Sequence, residues 1–282
     1  MLECVINVSE GSDEQALATL DAVARAALVD RHSDRDHNRS VFTLAHADDD
    51  AVQQVARELA TAVAERIDLR AHRGVHPRLG ALDVVPFVAL DPTPPGLAIE
   101  HAHRFATWWS DTFAVPTFFY DQADPARRTL PEVRRDAFAA RTPDHGPDRA
   151  HPTLGATAVS ARPPMVAINV DLATTDIGIA RDIARTVRER DGGLPGVRAL
   201  GFELVSRAQV QVSMNVVDLH ATSSGRACLR VRELAAAARV EATRVELVGL
   251  VPRFDYEQWP DEFRVWSGLD ETVTVEWRAT HR

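Results

Sequence analysis

Apolar residues recur along this chain with two periods, that of a strand and that of a helix, and the two alternate in a repeating order. Residues 4–8 form a short apolar run closed by Ser9-Glu10-Gly11. Over residues 13–27, Ala16, Leu17, Leu20, Val23, Ala24 and Ala27 fall on one helical stripe. Residues 28–31 and 40–45 read as strands flanking the polar loop Asp34-Arg35-Asp36-His37-Asn38-Arg39. Residues 49–67 repeat the helical spacing through Val52, Val55, Ala56, Leu59, Val63 and Ile67. Residues 82–90 are a strand whose Pro86 is best tolerated near an edge or a bulge. The resulting β-α-β-β-α-β order is that of a ferredoxin-like sandwich, an antiparallel sheet with both helices on one face. A helix over residues 99–113, a strand over 117–120 and an Arg-rich helix over 129–138 are expected next.

Residues 141–153 are dense in Pro, Gly, Asp and His, and so read as a loop, either a passive linker or a ligand-binding segment. The same order then repeats: a strand at 165–172, a helix at 176–190, strands at 197–205 and 210–217, a long helix at 222–242 and a strand at 244–251. The expected class is therefore α+β, two tandem ferredoxin-like α/β sandwich subdomains over residues 1–162 and 163–282. Trp259, Trp266 and Trp277 of the tail are expected to pack over the second of them.

Composition narrows the chemistry. A chain of 282 residues with 45% hydrophobic and 26% charged residues builds ordinary globular cores. A net charge of −9 argues against a nucleic-acid partner, while leaving local arginine clusters for small anions. All 32 basic residues are arginine. Without lysine there is no Schiff-base nucleophile and no P-loop lysine on a phosphate. Cys4 and Cys228 form no C-x-x-C pair, so neither a structural zinc site nor a disulfide framework is expected, and Cys4 reads as a small buried residue. No basic and apolar leader and no long apolar span is visible, so no membrane is expected and the default location is the cytoplasm. The G-x-S-x-G elbow and the G-x-G-x-x-G dinucleotide fingerprint are missing too.

Eleven histidines remain. His72 and His76 have the i, i+4 spacing of half a helical metal motif, but Gly74 and Pro77 oppose a continuous helix and no Glu completes H-E-x-x-H, so no metal is expected. The run His76-Pro77-Arg78-Leu79-Gly80 leads straight into the strand that begins near Leu82. A loop hung on a strand holds a side chain with little freedom, as a general acid/base requires. Arg78 can bind a carboxylate through its planar fork, and Asp83 can orient an imidazole or an arginine. On spacing alone, a tight loop with a surface His and Arg is the more economical reading. Asp36-His37-Asn38-Arg39 also has two readings, an Asn-containing turn or a substrate clamp through Arg39, between which spacing does not decide. His151-Pro152-Thr153-Leu154-Gly155-Ala156 is similar to His76-Pro77-Arg78-Leu79-Gly80-Ala81, either by chance or as a second His-bearing loop near the domain junction.

Taken in order, these segments resemble the formimidoyltransferase family, including the transferase half of formimidoyltransferase-cyclodeaminase. The resemblance rests on residues 3–11, 36–43 and 72–87, with H-P-R-L-G-A-L-D-V-V-P-F at the centre. It continues through 127–131, 146–157, 167–170, 211–215 and 248–252. It implies the two-subdomain formiminotransferase fold, a homodimer and a folate site between the subdomains. It implies His76 as the catalytic acid/base. It implies a folate-contacting loop of Gly146, Pro147, Asp148, Arg149, Ala150, His151, Pro152, Thr153, Leu154 and Gly155. The implied reaction moves a formimidoyl group between N5 of tetrahydrofolate and L-glutamate, as in histidine catabolism, with no metal. Arg39 and Arg78 are then candidates for the substrate carboxylates, supported by Asp36, Asn38 and Asp83. Where family members carry Glu before the catalytic His, this chain has Val75. That departure keeps open a variant that moves a formyl group or uses another amine acceptor; a folate-binding paralogue without transfer activity is a separate alternative.

Overall fold

The computed structural model describes residues 1–35, 37–74, 78–204 and 207–281. They divide into two compact units, Met1–Arg162 and Pro163–His281.

The first unit opens with β1 (Leu2–Val8), α1 (Glu14–Ala24), β2 (Leu28–Asp34), β3 (Arg39–His46), α2 (Asp49–Arg66) and β4 (Leu82–Ala89). The strands lie in the order β2-β3-β1-β4, all antiparallel, which is the ferredoxin-like order read from the sequence. Both helices start at aspartates that satisfy orphan backbone donors. Asp13 accepts from the N–H groups of Gln15 and Ala16, and Asp48 from that of Asp50. Leu17 and Leu20 of α1 and Val52, Leu59 and Val63 of α2 share one core with Leu2, Cys4, Ile6, Val8, Phe42 and Leu44. Both helices therefore cover the same face of the sheet. Burial raises the Cys4 thiol pKa well above its usual range, so this residue is a packing element.

Two features of this sheet differ from the sequence reading. Beyond α3 (Pro95–Phe113) and β5 (Thr117–Asp121) comes α4 (Leu130–Asp136), and then an unforeseen strand, β6 (Thr157–Ala161). It inserts between β4 and β5, parallel to both. Its five residues, Thr-Ala-Val-Ser-Ala, are buried throughout, so no alternation marks it. Pro86 consequently sits on an interior strand, not at an edge. The β1–β4 ladder runs from Leu2↔Ala89 to Cys4↔Phe87 and resumes at Asn7↔Val84. Between these pairs, register places Val5 opposite Pro86, which has no N–H to give. The side chain of Asn7 donates to the Val5 carbonyl there at 3.2 Å. A bulge does follow, three residues on: Asn7 pairs with Val84 but Val8 with Leu82, so Asp83 is the extra residue.

The second unit repeats the order as β7 (Val166–Leu172), α5 (Ile177–Val187), β8 (Val197–Leu204), β9 (Gln209–Val216), α6 (Ser224–Ala237) and β10 (Ala242–Val248), with strand order β10-β7-β9-β8. Helix α6 stops five residues short of the expected end, because Arg239 turns left-handed at φ 58° and the Val240 N–H bonds back to the Ala235 carbonyl. The alanine run 235–238 carries the helical period past that stop, so the pattern alone does not reveal it. The tail folds into α7 (Arg253–Glu257), α8 (Asp261–Ser267) and α9 (Val275–Thr280). Trp259 and Phe263 enter the core beside Ala227, Cys228 and Val231, and Trp266 packs against it. Trp277 stacks on His281 with ring centroids 4.4 Å apart, so two of the three tail tryptophans join the core and the third does not.

The tail is tied to α6 by Asp255, which is fully buried. Its carboxylate accepts from the Ser224 N–H at 3.0 Å, from the Ser224 hydroxyl, and from the Trp259 indole N–H at 3.1 Å. Burial pushes its pKa up, and these hydrogen bonds only partly offset that. The unfolded chain therefore ionises first, near pH 4. As pH rises from there through the raised folded value, the folded state loses stability relative to a chain whose residue 255 cannot ionise. Melting temperatures of wild type and Asp255→Asn between pH 4 and 7 are expected to shift progressively in favour of the variant. A difference that does not vary with pH sinks this reading.

Candidate functional site

Four segments of the first unit meet at the end of the sheet where β1 finishes and β4 begins: the turn after β1, the β2–β3 turn, the stretch joining α2 to β4, and a hairpin at residues 151–155. Asn38 joins the first three. Its φ of 47° places it in the left-handed region that Asn tolerates, so the turn reading of its loop holds. Its side-chain oxygen accepts from the Gly11 N–H at 2.8 Å and from the Ser12 hydroxyl at 3.1 Å. Its amide nitrogen donates to the Arg73 carbonyl at 2.8 Å, and its own carbonyl lies 3.0 Å from Nε2 of His72. Asn38 is thus a structural tie between loops.

His76, with Val75 and Pro77, lies outside the described residues, as does Asp36. The two shoulders of the His76 loop are described, and both are held. A Cβ at Gly74 would come within 2.5 Å of the His37 carbonyl oxygen, so only glycine fits that approach. Arg78 donates to the Gly74 carbonyl at 2.8 Å and reaches the His72 ring through Nη1. This spends part of the Arg78 fork on closing the loop.

The two similar His-bearing runs lie side by side. Gly80 and Gly155 form an antiparallel bridge. The Ala81 N–H donates to the Leu154 carbonyl at 2.9 Å, and the Ala156 N–H to the Leu79 carbonyl at 3.0 Å. A Cβ on Gly80 would fall 2.1 Å from the Ala156 oxygen, and one on Gly155 2.3 Å from the Leu79 oxygen, so neither position admits a side chain. The Leu69 N–H also donates to the Thr153 carbonyl at 2.9 Å. The hairpin therefore grips the segment carrying His76 on both sides.

His151 closes that hairpin. Its Nδ1 accepts from the Leu154 N–H at 3.1 Å and the Thr153 N–H at 3.3 Å, which requires that nitrogen to be unprotonated. Leu154 and Gly155 are buried in this contact, while Gly146–Ala150 and Pro152 are exposed. The start of the loop is anchored as firmly. Arg141, buried, donates to the Phe119 carbonyl at 2.8 Å and to Asp144 at 2.6 Å, and Asp144 also accepts from the Phe119 N–H at 2.7 Å. Gly146–Ala150 is thus an exposed polar loop between two fixed ends.

The charged part of the site centres on Asp83, aimed by its bulge and 1% exposed. One carboxylate oxygen accepts from the Leu79 N–H at 2.6 Å, the other from Nη2 of Arg134 at 2.6 Å. Of the two partners foreseen for Asp83, the structure supplies the arginine. Arg39 lies in the same field: burial lowers its pKa, Asp83 opposes that, and the Arg134 cation adds to it. The sequence marks Arg134 only as part of the Arg-rich helix that carries it. Among the described residues, no group of three or more His, Cys, Asp or Glu is placed to hold a metal ion. No helix among them is long and apolar enough to cross a membrane.

Two tandem ferredoxin-like units, the first with the shoulders of a histidine-bearing segment clamped at its sheet end near the partly buried Arg39 and Arg134, define an α+β protein with a polar cluster at that end. Residues 1–162 match the family model described as the formiminotransferase domain, N-terminal subdomain, and residues 167–256 match that of the formiminotransferase domain. Curated relatives include glutamate formimidoyltransferase of Streptococcus pyogenes serotype M1, 36% identical over 89% of this chain and 89% of that protein. Another is glutamate formimidoyltransferase of Thermoplasma acidophilum, 35% identical over 98% of this chain and 96% of the relative. Formimidoyltransferase-cyclodeaminase of Rattus norvegicus is 31% identical over 89% of this chain, which spans 50% of that longer protein. The chain belongs to the formiminotransferase family.

Proposed function

We propose that this protein is a folate-dependent glutamate formimidoyltransferase, moving a formimidoyl group between N5 of tetrahydrofolate and the amine of L-glutamate. The observation that carries the reading is the paired-loop clamp, Leu79–Ala81 against Leu154–Ala156, which joins the His76 loop to the loop proposed to contact folate. The curated relatives named for this activity support it. In the direction from folate to glutamate, His76 takes a proton from the glutamate ammonium, freeing its nitrogen to attack, and returns a proton to N5 as the folate leaves. A single imidazole near neutrality can serve both steps. The substrates are anionic, and Arg39 and Arg78 are proposed to meet their carboxylates, with Asp83, Asn38 and Asp36 in support. The exposed polar loop Gly146–Ala150, between its two anchors, fits contact with the folate. Holding both substrates in one site supplies much of the rate through proximity. The reading extends to a homodimeric cytoplasmic enzyme of histidine catabolism.

The test is direct: incubate the purified protein with 5-formimidoyl-tetrahydrofolate and glutamate, and follow the folate released. Turnover supports the proposal. Folate binding without turnover points to a non-catalytic paralogue, and turnover only with 5-formyl-tetrahydrofolate to a formyl transferase, the alternative that Val75 raises.

A further inference from the structure

The geometry points to Asn7 as a residue that selects a formimidoyl over a formyl group, by offering its side-chain oxygen to the N–H that only the formimidoyl group carries. The inference rests on the transfer reading above and goes beyond it, to what distinguishes the two donors.

Asn7 lies on β1, where Leu2, Cys4, Ile6 and Val8 point into the core beneath the helices. Strand alternation places Asn7 on the opposite face. Its register neighbours are Val41 on β3 and Val84 on β4, the residue next to the bulged Asp83. Ser9, two residues on, is tied to the His76 loop segment, its hydroxyl donating to the Gly80 carbonyl at 2.8 Å and its N–H to that of Ala81 at 2.8 Å. Asn7 is thus on the sheet face beside Arg39 and Asp83, at the root of the clamped loop.

Asn7 is 7% exposed, and the orientation of its amide is decided by the backbone. Val5 falls opposite Pro86 and finds no ladder donor there, and Asn7 Nδ2 fills that role. Only the nitrogen can donate to a carbonyl, so the oxygen must face the other way. That oxygen is buried and has no hydrogen-bond partner. A buried acceptor left unmatched can be completed by a donor that arrives with a ligand, and on this face of the sheet, at the root of the clamped loop, the ligand is the transferred group. The two candidate donor groups differ at one atom. The formimidoyl group ends in a nitrogen bearing hydrogen, which donates; the formyl group ends in an oxygen, which only accepts. A site that offers an acceptor favours the first and repels the second.

The experiment compares Asn7→Leu, which removes the acceptor at similar volume, with Asn7→Asp, which keeps an oxygen there. Each variant and the wild type are assayed with 5-formimidoyl- and 5-formyl-tetrahydrofolate, by kcat/KM with glutamate and by calorimetric Kd without it. The ratio between donors on one protein does not depend on the fraction folded. Asn7→Leu is expected to lower the formimidoyl/formyl ratio about 10- to 100-fold in both measurements, and Asn7→Asp to restore it. Equal losses with both donors, or no change, overturn the inference. A wild type that binds both folates but transfers neither group defeats the transfer reading instead, and the Kd ratio still judges Asn7.

Discussion

Replacing His76 with alanine is expected to lower kcat/KM for formimidoyl transfer by about 10²- to 10⁴-fold, the usual worth of a general acid/base, with folate affinity held within a few-fold. The separation of the two effects follows from how the loop is built. Its shoulders are fixed by groups other than His76: the close approach of Gly74 to His37, the Arg78 bond to the Gly74 carbonyl, and the Gly80–Gly155 pairing. Removing the imidazole leaves these contacts in place, so the binding surface should survive. Equilibrium titration with 5-formyl-tetrahydrofolate alongside steady-state kinetics reads both quantities. If kcat/KM is unaltered, His76 is not the acid/base. If Kd and kcat/KM worsen together, His76 is a binding residue and proton transfer must be assigned elsewhere. Because Val75 puts no charge beside His76 in the chain, a second variant is informative. Val75→Glu should raise the imidazole pKa through a neighbouring negative charge and move the acid limb of the pH profile upward.

Asp83→Ala should destabilise the first unit by about 3 kcal/mol, the low end of what breaking a buried ion pair costs. The substitution removes the acceptor of the Leu79 N–H and the counter-charge of Arg134 together. It also leaves the Arg134 and Arg39 cations facing each other without the carboxylate that offsets their repulsion. Arg134 keeps 20% of its side chain exposed, which lets solvent absorb part of the loss and argues against the upper end of the range. For a unit of this size the melting temperature should fall by several degrees. Asp83→Asn retains an acceptor for Leu79 and should lose roughly half as much. In the double variant Asp83→Ala, Arg134→Met the cation that Asp83 faced is gone as well, and part of the stability should return. Thermal unfolding followed by circular dichroism measures all three. A double variant no more stable than Asp83→Ala shows that the ion pair is not the source of the loss.

Much of the architecture was legible because it is written in periodicity. The stripe Leu17, Leu20, Ala24 and the stripe Val52, Val55, Leu59, Val63 each bury as a helix must, and the strand runs between them pair as the β-α-β-β-α-β order requires. What escaped leaves no mark in the period. Strand β6 is buried on both faces and so has no alternation to read. Pro86 looked like an edge residue because local rules assume every interior position must donate, whereas here a side chain from the neighbouring strand supplies the missing hydrogen bond. The end of α6 depends on one left-handed residue that helical spacing does not announce.

The site divides along the same line. The order of motifs along the chain, the absence of lysine, the arginine-only basic set and the His-Pro-Arg-Leu-Gly-Ala run are properties of the sequence by itself, and they sufficed to suggest the class of chemistry and its central histidine. Only the tertiary structure decided that His76-Pro77-Arg78-Leu79-Gly80-Ala81 and its later counterpart meet glycine to glycine, since 75 residues of chain separate them and only folding brings their backbones within hydrogen-bond reach. Only it decided that Asn38 ties loops together, that Asp83 is turned by a bulge onto Arg134, and that the Asn7 oxygen is left open. Each of these depends on which atoms lie opposite one another across strands, and register is set by packing of the whole sheet.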